Sequence, residues 1–159
     1  MAPPFPDKSG PSPASAVGAE LHYRRSLDQG QFLIQRCNAC DASVFYPRMV
    51  CPHCGSDRLD WYAPSGAATV YSTTVVRGRP QDGGDRNVAL LDLAEGVRMM
   101  ARVDGIAPAD VTIGMAVQAR VLMSEEGGKV VFVPAGASAV SAAGPSAHAG
   151  ARADGGVAA

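Results

Sequence analysis

Beyond Pro64-Ser65-Gly66, apolar and polar side chains alternate with a period of two, the pattern of strands with one buried face. Ala68–Arg77 (ATVYSTTVVR) is dense in β-branched residues, which favour a pleated backbone. Val88–Leu93 and Val97–Val103 flank the short turn Ala94-Glu95-Gly96 and read as a hairpin. Val117, Ala119 and Val121 then alternate with Gln118, Arg120 and Leu122, Ser124–Gly128 turns the chain, and Lys129–Val133 closes it. Between the third and fourth of these strands, Ile106–Gly114 is long enough for one helical turn.

Five strands with an insert at that place is the layout of an OB-fold barrel, with a split sandwich as the alternative. Upstream the pattern is shorter and more broken. Phe32-Leu33-Ile34, Val44-Phe45-Tyr46-Pro47-Arg48 and Leu59-Asp60-Trp61-Tyr62 read as three short strands. Before them, Glu20–Gln29 has no proline and ends at Gly30, a natural helix stop. Leu21, Arg24, Arg25 and Leu27 give this helix a thin apolar stripe, so it must dock to be stable. No internal repeat is found.

The fold class is mainly β. Five segments follow: a tail at 1–18, a docking helix at 19–31, a ribbon at 32–63, an OB-fold at 64–134 and a second tail at 135–159. The first tail carries Pro3, Pro4, Pro6, Pro11 and Pro13 among small and polar residues. The second is almost wholly Ala, Gly and Ser with single charges. Neither can bury enough apolar area to offset the entropy of ordering, and both are expected to be disordered.

Composition narrows the function classes. With 14 basic and 15 acidic residues the net charge is −1, so the chain makes no strong electrostatic claim on a polyanion. Lys8 and Lys129 are the only lysines; arginine supplies the remaining positive charge and suits bidentate contact with phosphates and carboxylates. No apolar run approaches the roughly 20 residues needed to cross a bilayer. The N-terminus lacks the basic-then-apolar pattern of a secretory signal, so a cytoplasmic protein without membrane contact is expected.

The ribbon holds all four cysteines, as Cys37-Asn-Ala-Cys40 and Cys51-Pro-His-Cys54. Two Cys-x-x-Cys turns this close in sequence bring four thiolates to one tetrahedral ion. Cytosolic thiols stay reduced, which favours metal over disulfides. Zinc is expected; a four-thiolate site also accepts iron. Gly55 follows the second pair where a left-handed residue is often needed, and Asp41, at the matching place after the first, tolerates that conformation better than most residues do. Four protein ligands leave no open position for water or substrate, so the metal is structural. It supplies folding energy to a segment of roughly 30 residues too small for a core of its own. His53, inside the second knuckle, reads as a solvent-facing side chain.

No catalytic constellation accompanies the metal. The three histidines are His22, His53 and His148, and every cysteine belongs to the ribbon. There is no Gly-x-Ser-x-Gly elbow, His-Glu-x-x-His or phosphate-cradling loop. Asp92 and Glu95 lie near each other but read as ordinary charges around a turn. The chain by itself is not expected to be an enzyme.

Several landmarks occur together: Gln35-Arg36-Cys37, Tyr46-Pro47-Arg48, Pro52-His-Cys-Gly55, Gly66 to Tyr71-Ser72, and Ile113-Gly114-Met115. As a set, over about residues 20–134, they resemble the bacterial and archaeal acyl-CoA-associated OB-fold proteins with an N-terminal rubredoxin-like zinc ribbon, long known only as a domain of unknown function. The resemblance implies a non-catalytic accessory or scaffold subunit. Its partner would be a thiolase-like or ketosynthase-like enzyme, a sterol-carrier-type thiolase or aldolase, or a hot-dog-fold hydratase, with acyl-CoA held in the complex. The chain departs from the family at Arg77–Arg86, where relatives more often carry a proline-rich loop, and in its tails.

Arg77, Arg79 and Arg86 cluster on that departing loop, and guanidinium groups suit the phosphates of coenzyme A. They are the candidate acyl-CoA contacts; a solvated loop kept soluble by arginine is the plainer alternative. The helix and the ribbon aromatics are the expected docking surface. A second function class is single-stranded nucleic-acid binding, which ribbons and OB barrels both serve, but the expected basic groove is missing. Electron transfer through iron is a third, although rubredoxins space their pairs more widely than the ten residues at 41–50.

Overall fold

A computed structural model describes residues 18–136. The two tails expected to be disordered lie, apart from Gly18, Ala135 and Gly136, outside the described residues. Helix α1 (Ala19–Asp28) leads into a three-stranded antiparallel sheet of β1 (Ile34–Cys37), β2 (Ser43–Val44) and β3 (Leu59–Tyr62), in the order β2-β1-β3. A second sheet follows, made of β4 (Ala67–Val76), β5 (Arg86–Leu93), β6 (Arg98–Ala101), β7 (Ala116–Ser124) and β8 (Gly127–Pro134). Its order is β6-β5-β4-β7-β8, antiparallel throughout.

That sheet curls until its two edge strands meet. Contact is made through the parallel bridge Val103–Phe132, where the Asp104 N–H donates to the Phe132 carbonyl at 2.7 Å and the Phe132 N–H to the Arg102 carbonyl at 2.9 Å. The result is a half-barrel. The insert expected between the third and fourth strands is a single 3-10 turn, Pro108–Asp110. A bulge between Val70 and Ser72 leaves Tyr71 unmatched on β5 and increases the local twist.

The ribbon strands differ from expectation at their ends. The first begins at Ile34 and runs into the knuckle, and the second shortens to two residues because the chain turns away after Val44. Helix α1 ends as read: Gly30 has φ 77°, its N–H bonds the Leu27 carbonyl, and the Gln31 N–H bonds the Ser26 carbonyl, both at 2.8 Å. The buried face, however, is Ala19, Tyr23, Ser26 and Leu27, while Leu21 stays exposed. Tyr23 decides this orientation by packing edge-on against Phe45 and Tyr46, each at 5.9 Å between ring centres.

One core serves both sheets. Val70, Leu91, Val103, Val117 and Phe132 of the half-barrel share a buried cluster with Ile34 of β1, and Phe32, Phe45 and Tyr62 pack against it. A smaller cluster of Cys37, Val44 and Cys51, flanked by Leu59, lies under the knuckles.

Candidate metal centre

The two Cys-x-x-Cys turns are near copies of one another. In the first, the Asp41 N–H donates to the Cys37 carbonyl at 2.8 Å and the Cys37 N–H to the Ala42 carbonyl at 2.9 Å. In the second, the Gly55 N–H donates to the Cys51 carbonyl at 2.9 Å and the Cys51 N–H to the Ser56 carbonyl at 2.8 Å. Both turns close through a left-handed residue, Asp41 at φ 62° and Gly55 at φ 75°. Asp41 is further tied by a bidentate pair from Arg36, at 2.8 and 2.6 Å.

This backbone brings the four sulfur atoms together. All lie within 4.8 Å of one another, with Cys37 Sγ to Cys54 Sγ at 3.6 Å and Cys40 Sγ to Cys51 Sγ at 3.7 Å. A tetrahedron with metal–sulfur bonds of about 2.3 Å has edges of about 3.8 Å, so the cluster fits one zinc-sized ion. Cys37 and Cys51 are buried, and Cys40 and Cys54 are at the surface. His53 is exposed and is not among the grouped ligands.

The sulfurs also hold one another's protons unequally. Burial acts to raise the Cys37 thiol, but N–H groups of Ala39 and Cys40 and the thiols of Cys54 and Cys40 outweigh it and bring it down to about 6. At Cys40 the Ala42 amide acts to lower the thiol, yet burial and the other three sulfurs push it up to about 12. Crowded thiols cannot all ionise without a cation among them. A bound divalent ion resolves that repulsion, and its chemistry is to hold four thiolates in a closed site.

A buried amide fixes the segment beside the centre. Gln35, next to the first knuckle, donates to the Arg48 carbonyl at 2.9 Å and accepts from the Arg48 N–H at 2.7 Å. It thereby pins the Tyr46-Pro47-Arg48 segment to β1. Asn87 does the same where β5 meets the chain beyond β6, bonding the Val103 carbonyl at 2.6 Å and the Val103 N–H at 2.8 Å. In the sequence Gln35 stands out only as part of a landmark and Asn87 only as a polar residue beside an apolar strand run.

The loop between β4 and β5 carries the three arginines. Arg77 is engaged by Asp85, whose carboxyl is held below its usual range by the Gly78 N–H and by that arginine. Arg79 precedes the 3-10 turn Pro80–Asp82, and Arg86 opens β5 opposite Val76; both are exposed. Asp92 and Glu95 do not face each other. Asp92 grips Arg98 at 2.6 and 3.0 Å, and Glu95 accepts the Ser65 N–H at 2.6 Å.

Residues 24–60 match the ChsH2 rubredoxin-like zinc ribbon domain, and residues 61–122 match the ChsH2 C-terminal OB-fold domain. The solved structure described as the Ltp2-ChsH2(DUF35) aldolase contains a chain 34% identical to this one. The match covers 94% of that chain and 73% of this one, with a TM-score of 0.65. The chain belongs to the ChsH2 (DUF35) family. Its metal centre is therefore a rubredoxin-like zinc ribbon.

Other similar proteins are matched over a smaller part of their length or at lower identity. The chain is 40% identical over 91 residues to a probable enoyl-CoA hydratase alpha subunit of Thermomonospora curvata, spanning 56% of this chain but 28% of that protein. It is 33% identical over 88 residues to a DUF35 domain-containing scaffold protein of Methanocaldococcus jannaschii, spanning 53% of this chain and 62% of the relative. A DUF35 protein of unknown function from Sulfolobus solfataricus, 16% identical with a TM-score of 0.55 over 75% of this chain and 87% of its own, shares the fold. In the ChsH2 family description the ribbon ends at residue 60, inside β3, and the shared core around Ile34 and Tyr62 runs across that boundary.

Proposed function

We propose that this chain is a non-catalytic, cytoplasmic accessory subunit that docks on an acyl-CoA-handling enzyme and helps hold the thioester. The enzyme would be of the thiolase-like, condensing, aldolase or hydratase kind. The observation that carries this reading is the closed four-sulfur site: the one metal centre among the described residues has no position left for a substrate. The similar proteins point the same way, since one is described as an aldolase assembled from Ltp2 and ChsH2 and another as a scaffold. The hydratase named for Thermomonospora curvata is matched over 28% of its length, so its activity has most of another chain in which to reside.

Within the subunit, Arg79 and Arg86 are the proposed contacts for the coenzyme A phosphates, with Arg77 held in place by Asp85. No helix among the described residues is long and apolar enough to cross a membrane. The ribbon aromatics give little support to nucleic-acid stacking: Tyr62 hydrogen-bonds Ser43 at 2.8 Å, and Trp61 stacks with His22 at 4.6 Å. Tagged and expressed in its native host, the full chain is expected to co-purify with an acyl-CoA enzyme and, once separated, to turn over no acyl-CoA. Thioester turnover by the separated chain would contradict the proposal. Arg79→Ala and Arg86→Ala are expected to weaken acyl-CoA binding by the complex; unchanged affinity would remove the arginine assignment alone.

A further inference from the structure

The outer face of the half-barrel carries apolar side chains left exposed or half-buried. Leu90 and Met100 stand opposite each other on β5 and β6, and Ser72 of β4 stands opposite Leu90. Residues paired in this way point to the same face, and Met100 is 68% exposed. The bulge in β4 turns Tyr71 out of the core beside them, half exposed. On the other side of Tyr71 lies Ile113, 71% exposed, just before Gly114, whose N–H bonds the Val70 carbonyl at 2.8 Å. An apolar strip thus crosses the sheet from Met100 to Ile113, on the order of 15 Å at ordinary strand spacing. Contiguous exposed apolar surface of this kind marks a recognition site more often than a bare monomer surface.

The strip is also pre-organised. The Arg98 guanidinium lies 3.3 Å from the centre of the Tyr71 ring and is fixed by its bidentate pair with Asp92. A tyrosine and an arginine already locked in place lose little freedom on binding, and these two residue types are over-represented among the anchors of protein interfaces. Because Asp92 neutralises Arg98, the middle of the strip is apolar and uncharged in sum. Its margin is cationic: the face continues through Val76 to Arg86, with Arg79 on the adjoining loop. Among the residues whose side chains are described, neither Arg79 nor Arg86 forms an ion pair. An apolar centre with one basic margin complements an apolar protein ridge lying beside a bound anion, here the coenzyme A phosphates assigned to Arg79 and Arg86.

We propose that the partner enzyme docks on this outer face, seating an apolar ridge against Tyr71, Leu90, Met100 and Ile113 with its coenzyme A phosphates at the Arg79–Arg86 margin. The assignment rests on the accessory-subunit reading and moves the docking surface from α1 and the ribbon to the half-barrel. Methionine-oxidation footprinting of the complex purified from the native host, beside the free full-length chain, tests it directly. Met100, Met49 and Met123 are all at least half exposed in the free chain and serve as reporters. Met100 is expected to become protected in the complex while Met49 and Met123 remain reactive. Tyr71→Ala and Met100→Asp are expected to weaken the complex by about thirtyfold or more, as interface anchors do, with zinc content and melting temperature retained.

Protection of Met49 with Met100 still reactive would overturn the proposal in favour of the groove lined by Leu21, Arg24, Pro47, Arg48 and Met49. Protection of Met100 in the free chain, growing with its concentration, would instead assign the face to a second copy of this chain. Recovery of the chain without any companion would contradict the accessory-subunit reading itself, and the surface assignment would fall with it. The wild-type footprint stands whether or not a given variant folds.

Discussion

Gln35 carries more of the ribbon than its neutral side chain advertises. Both ends of its amide are spent on the backbone of Arg48, and the residue is 3% exposed. Gln35→Leu keeps the volume but leaves the Arg48 N–H and carbonyl without their partners. Destabilisation of about 1–3 kcal/mol is expected from urea melting of the zinc-loaded chain, the usual cost of an orphaned buried polar group. The clustering of the four cysteines was legible from sequence, because a knuckle is local: two residues separate the cysteines of each pair and one left-handed residue closes each turn. Asp41 in that place was legible for the same reason. The work of Gln35 and Asn87 was not, since their partners lie 13 and 16 residues away and are found only after the chain has folded.

At the scale of elements, α1 and the loop between β4 and β5 show how much is decided by neighbours. The last turn of α1 lies on the start of β8 so closely that a Cβ on Gly128 would fall 2.1 Å from the Leu27 carbonyl oxygen. Gly128→Ala must therefore push the helix away. A loss of about 1–3 kcal/mol is expected, with amide exchange at Tyr23 and Leu27 rising before that of β5. The helix itself and its glycine stop were legible from sequence, but its buried face was not, because the rings of Phe45 and Tyr46 select Tyr23 over Leu21. The strands of the half-barrel were legible from their alternation; the bulge at Tyr71 was not, because no turn residue marks it.

The β4–β5 loop adds a pH dependence. Asp85 titrates below its usual range because the Gly78 N–H and Arg77 favour the carboxylate. A carboxyl depressed in the folded state stabilises most above its unfolded pKa of about 4, and the contribution is lost as pH falls through the lower folded value. Amide exchange at Gly78 is expected to quicken as pH falls below about 4, beyond the change in intrinsic exchange rate, and Asp85→Asn is expected to abolish that extra step.

At the scale of the whole molecule, the ribbon and the half-barrel share one core and meet the same shortage of burial in two unlike ways. The ribbon has a hydrophobic cluster of three buried residues, two of them metal ligands, and joins the core of the half-barrel through Ile34. Burial runs past the boundary expected at residue 64, since Ile34, Phe45 and Tyr62 belong to or pack against the half-barrel core. Metal loss is thus expected to loosen the packing around Ile34 and Phe45 as well as the knuckles. The most direct measurement is the zinc content of the purified full-length chain and of Cys51→Ala, each read beside its circular dichroism. About one zinc per wild-type chain is expected, with loss of metal and of order across residues 32–62 in the variant. A Cys51→Ala chain that holds no metal and is as folded as the wild type would contradict a structural, closed metal centre.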